Sequence, residues 1–175
     1  NTLLIPGTNQ RSIETNKQTC DRVKNLILGV TREALKGWQR GSENFRPLQL
    51  IGSVTHTIQD SFSTVHVKRD AQWKIKEYCK FGEEIPGLCH HSTMDAVIHD
   101  YIWVPNLSVN VMKPEAMRAA LTTGAYLMHV QRIAENAGSF DQEMADFIKG
   151  SPALRGAVSG FPETAPMNCD NLLPD

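Results

Sequence analysis

Apolar side chains recur every three or four residues along most of this chain, and nowhere do they settle into the two-residue alternation of a half-buried strand. A chain patterned in this way buries its apolar stripes helix against helix, so the expected class is all-α. Residues 12–37 carry Ile13, Val23, Leu26, Ile27, Val30, Ala34 and Leu35 at close to helical spacing and stop near Gly37. After a polar turn over 41–44, a second helix is expected from about Pro47, with Leu50, Ile51, Val54, Ile58 and Phe62 on one stripe. Shorter helices are expected over 68–80 and 90–103, separated by a loop containing Gly82, Pro86 and Gly87. Pro114 should open a long helix to about Ala137, and 141–149 a shorter one before a Gly/Pro-rich tail. With 175 residues, 41% of them hydrophobic, the expectation is one compact helical domain over 1–175.

The charge balance narrows the function. A formal net charge of −1 and a pI near 6.7 give no basic excess of the kind that a phosphate-neutralising nucleic-acid binder carries. Any phosphate chemistry must be local. No apolar run reaches the roughly 18–20 residues that span a bilayer, so no transmembrane segment is expected. Nor does the N-terminus carry a basic segment followed by an apolar stretch. Cys20, Cys79, Cys89 and Cys169 are an even set without a C-x-x-C pair, which points to disulfides and a secreted or otherwise extracytoplasmic protein. The turn residues between Cys79 and Cys89 make that pair a candidate bridge. Asn106-Leu107-Ser108 is a glycosylation triplet of the kind that arises easily by chance.

The chemistry concentrates in two short stretches. His56 and Asp60 lie four apart on an expected helix, which puts imidazole and carboxylate on one face, able to share a metal ion. If the helix continued, His66 would sit roughly 9 Å along the axis from Asp60, suited to a neighbouring ion rather than the same one. The same pairing recurs in His91-Ser92-Thr93-Met94-Asp95. One such pair is ordinarily a hydrogen-bonded couple on a helix surface; two pairs plus His66 fit a metal cluster. Among the other histidines, His99 lies four residues beyond Asp95 and suits an outer position, and His90 points elsewhere on a helix. His129, on the apolar helix from Pro114, reads as a hydrogen-bonded core or surface histidine. Trp38, Trp73 and Trp103 read as core residues rather than as a cleft lining.

His56-x3-Asp60-x5-His66 resembles the signature of the zinc-dependent phospholipases C, whose His/Asp/His arrangement the P1-type nucleases share. The resemblance covers about residues 12–103 and implies an all-α domain of that type with up to three zinc ions. It implies that His56 and Asp60 hold one zinc, that Asp60 bridges to a second and carries the catalytic role, and that His66, His91 and Asp95 hold the remaining ion. Thr57 and Thr64 stand where the phospholipases have an aromatic residue and a proline. The family's N-terminal tryptophan and upstream histidines also have no counterpart here, since the first residue is Asn1 and the first histidine His56. The chain therefore reads as the C-terminal portion of a larger or processed protein, with a companion N-terminal chain or segment as a partner. The expected activity is zinc-dependent hydrolysis of a phosphodiester, with a phospholipid head group as substrate. The alternatives are a P1-type nuclease and a non-catalytic helical binding domain that retains one structural zinc.

Overall fold

A computed structural model describes residues 15–39, 45–63, 66–69, 75–78, 101–104 and 109–149, and four helices dominate them. Helix α1 spans Asn16–Gln39 and α2 spans Arg46–Asp60. Strands β1 (Val67–Arg69), β2 (Ile75–Tyr78), β3 (Tyr101–Val104) and β4 (Val109–Met112) follow. Helices α3 (Pro114–Ala134) and α4 (Phe140–Lys149) complete the described chain. The class is all-α: the helices build the core, and the described extended backbone is two short antiparallel ribbons, β1 with β2 and β3 with β4.

Each helix begins and ends on local chemistry that the sequence supplies. At the start of α1, Gln18 N–H donates to Thr15 Oγ1 at 3.2 Å while Thr15 N–H donates to Gln18 Oε1 at 2.9 Å. This reciprocal pair satisfies two backbone donors that the first turn cannot. Pro47 and Pro114 lie in the first turns of α2 and α3, where their fixed φ suits the helix and their missing N–H costs nothing. Helix α3 closes on Asn136, which takes φ 55° while Ala137 N–H reaches Arg132 O at 2.8 Å and Asn136 N–H reaches Ile133 O at 3.1 Å. That six-to-one and five-to-two pattern turns the chain sharply into α4.

The apolar stripes meet in one core. Helix α1 packs on α2 and α3, α2 on α3, and α3 on α4. Ile27, Ala34 and Leu35 of α1 meet Ile51, Val54 and Ile58 of α2, with Phe62 just beyond it. Ala125, Tyr126, Val130 and Ile133 of α3 and Met144 and Phe147 of α4 close the cluster. The Tyr126 and Phe147 rings sit 5.5 Å apart at 59°, a favourable tilted arrangement. Tyr126 keeps its hydroxyl inside this core by donating to Thr31 Oγ1 at 2.7 Å, while Thr31 donates onward to Ile27 O at 2.7 Å. Burial pushes the Tyr126 phenol up to about 12. Among the described residues, no helix is long and apolar enough to cross a membrane.

One expected helix and the end of another are corrected, residues 90–100 of the second lying outside the described residues. The stretch expected to be helical over 68–80 contributes β1 and β2, paired Val67 with Tyr78 and Lys68 with Glu77. The end of the one expected over 90–103 is β3, whose Tyr101 to Val104 pair with Met112 to Val109. Tyr101-Ile102-Trp103-Val104 is a β-branched and aromatic run followed at once by Pro105-Asn106, which is strand-then-turn chemistry. Runs of three or four residues are too short for periodicity to separate helix from strand.

Candidate metal centre

His56 and Asp60 stand on the last turns of α2, on the side away from the buried stripe of Ile51, Val54 and Ile58. Beyond Asp60 the helix does not run on. Ser61 Oγ donates to Ile58 O at 2.6 Å, Ser63 N–H reaches Asp60 O at 3.0 Å, and Ser63 O accepts from the N–H groups of both His66 and Val67. Phe62 and Val67, both buried, pin the two sides of this turn. The turn carries His66 back over the end of α2.

The outcome is a carboxylate between two imidazoles. Asp60 Oδ2 lies 3.4 Å from His56 Nε2, and Asp60 Oδ1 lies 3.8 Å from His66 Nε2. His66 thus reaches Asp60 itself, where a continuing helix would have held it roughly 9 Å away; the tight turn after Asp60 is the physical reason. Both separations exceed the roughly 2.7–2.9 Å of a charge-assisted hydrogen bond. Two donors bound to one tetrahedral zinc at about 2.0–2.1 Å stand about 3.3–3.4 Å apart. The His56–Asp60 spacing matches that edge, and the His66–Asp60 spacing is a few tenths of an ångström wider. Each carboxylate oxygen faces a different histidine, which is the disposition of a bridging ligand.

The described residues alone do not complete an ion's shell: no group of three or more His, Cys, Asp or Glu among them is arranged to hold a metal. His56 with Asp60, and Asp60 with His66, each bring only two metal-ligating side-chain types together. His91 and Asp95, expected to complete the set, lie outside the described residues, as do His90, His99, Trp73, Cys79, Cys89 and Asn106. The one described cysteine, Cys20, is buried in α1 and disulfide-bonded.

A second polar cluster sits at the α3–α4 corner. His129 is 7% exposed, and its Nδ1–H donates to Glu143 Oε2 at 2.6 Å, as expected for a hydrogen-bonded histidine. Arg132 Nε donates to the other carboxylate oxygen at 2.8 Å. Burial pushes the Glu143 carboxyl up, but the hydrogen bonds and positive charge of Arg132 and His129 outweigh it and hold the group below the ordinary glutamate value. Sequence reading did not single out Glu143 or Arg132, because nothing in their spacing from His129 signals a contact. Trp38, expected in the core, is 44% exposed at the end of α1. No known protein family, curated protein or solved structure matches the chain.

Proposed function

We propose that this chain carries part of the metal centre of a zinc-dependent phosphodiester hydrolase, acting on phospholipid head groups. The observation that carries the reading is the Asp60 carboxylate, set between His56 Nε2 at 3.4 Å and His66 Nε2 at 3.8 Å. In this reading His56 and Asp60 would hold one ion, and His66, with His91 and Asp95, would hold another, with Asp60 shared between them.

The chain's own groups then have defined tasks. Both histidines present Nε2 toward Asp60, so to bind an ion there each would leave that nitrogen unprotonated and carry its proton on Nδ1. Asp60, about one third exposed, presents one carboxylate oxygen to each histidine. When bound, zinc supplies a water made acidic enough to attack at neutral pH and a positive charge on the phosphate oxygens. His56, 76% exposed, stands at the solvent side where a substrate would enter.

The test is hydrolysis by the zinc-loaded protein, together with any segment that copurifies with it, on phosphatidylcholine vesicles and on single-stranded DNA. Head-group release that a chelator abolishes and Asp60→Asn lowers by roughly 100-fold is expected. Cleavage of DNA alone makes the protein a nuclease of the same chemistry. A zinc-loaded protein that cleaves neither substrate, or whose rate Asp60→Asn leaves unchanged, refutes the assignment. The described half-sites also suit a second reading, a non-catalytic helical domain with one structural zinc, for which the protein would hold the ion and cleave nothing.

A further inference from the structure

Cys20 is completely buried on α1 and disulfide-bonded, and this chain offers it three partners: Cys79, Cys89 and Cys169. The path of the described chain around α1 singles out Cys79, which directly follows a described strand. Helices α1 and α2 pack together across a short connection, and a Cβ on Gly37 would come within 3.1 Å of Pro47 Cγ, so the end of α1 meets the start of α2. Helix α2 therefore runs back along α1. Its 15 residues cover about 22 Å at 1.5 Å per residue, which brings Asp60 alongside the N-terminal half of α1. The turn through Phe62 and His66 continues in that direction to Val67, where β1 begins. Strand β2 pairs with β1, with Tyr78 opposite Val67, and β2 packs on α1.

The last residue of β2 is Tyr78, and the next residue in the chain is Cys79, whose Cα must lie about 3.8 Å from that of Tyr78. The geometry points to a disulfide between Cys20 and Cys79. A bridge needs its two Cα atoms only about 4.4–6.8 Å apart, and β2 is the described strand that chain path and packing bring to the Cys20 end of α1. The bond would tie the β1–β2 ribbon, whose first strand begins one residue after His66, to α1. It also takes Cys79 out of the local pairing with Cys89 that the turn residues between them suggested.

The four cysteines fall in four different tryptic peptides, residues 18–22, 77–80, 81–118 and 156–175, so the pairing can be read directly. Unreduced protein, alkylated and digested, should yield 18–22 joined to 77–80. That mass should vanish when a dithiol donates two electrons and two protons to the two sulfurs and closes into its own disulfide. Finding 18–22 joined to either other peptide, 77–80 joined to 81–118, or Cys20 alkylated without reduction overturns the proposal. Melting temperatures give a second reading: Cys20→Ser, Cys79→Ser and the double variant should all fall by the same amount, because each removes the same bond. A double variant whose loss is the sum of the two single losses overturns it as well.

Discussion

Replacing Glu143 should destabilise the protein more than any other single polar substitution in the described core. Its carboxylate accepts from His129 Nδ1–H at 2.6 Å and from Arg132 Nε at 2.8 Å, and it is itself 5% exposed. In Glu143→Ala the Nδ1 of His129 joins Nε2, which has no hydrogen-bond partner among the described residues, as a second unpaired buried nitrogen. That costs about 1–3 kcal/mol. The lost methylene adds about 1 kcal/mol, and Arg132, 54% exposed, turns to water at little cost. The expected loss is about 2–4 kcal/mol, or roughly 4–16 °C in Tm for a chain of this size. Glu143→Gln keeps the shape and one acceptor oxygen and should lose about 1–2 kcal/mol.

Equilibrium denaturation in urea at neutral pH measures both variants, and the pH dependence adds a sign. Because the folded Glu143 carboxyl is held below its ordinary value, its contribution is present above that value and lost as pH falls through the depressed one. Wild type should therefore lose stability on acidification more steeply than Glu143→Gln. A Glu143→Ala variant within about 0.5 kcal/mol of wild type, the range of ordinary surface substitutions, would refute the reasoning.

Tyr126→Phe removes the hydroxyl that donates to Thr31 and should cost about 1 kcal/mol, measured by the same denaturation. In wild type this phenol, raised to about 12, should show its spectrophotometric transition well above the ordinary tyrosine value of about 10. Since the fold keeps it neutral, stability should fall as pH rises from the unfolded value of about 10 through the folded one. At Gly138 an added Cβ would run into the Glu143 side chain, which His129 and Arg132 hold in place, so Gly138→Ala should lose about 1–3 kcal/mol. An unchanged Gly138→Ala would mean that Glu143 is free to move aside.

The helices were legible because their signals are long and redundant. Pro47 and Pro114 mark two starts, and of the expected stripe the structure buries Ile51, Val54, Ile58 and Phe62 and half-buries Leu50. The ribbons were not, because Val67 to Arg69 and Tyr101 to Val104 are shorter than a helical repeat needs to declare itself. His56 with Asp60 could be read from spacing alone, since a four-residue step on a helix fixes the contact. His66 could be placed near the pair only loosely. Its approach to Asp60 depends on where α2 stops, and the serines at 61 and 63, whose hydrogen bonds end it, are weak stop signals. His129 was read as hydrogen-bonded, but its partner Glu143 belongs to another helix and meets it only because Asn136 turns the chain at φ 55°.

Zinc content tests the central claim most directly. Metal-free protein, saturated with zinc, passed through a desalting column and submitted to elemental analysis, should retain one firmly held ion per chain. His66→Ala should lose that ion and Asp60→Asn should weaken it, both with helical circular dichroism unchanged. His56→Ala should keep it, because His56 faces the other oxygen of Asp60. A wild-type protein that retains no zinc, or a His66→Ala variant that retains it in full, would contradict the assignment of this cluster as a metal centre.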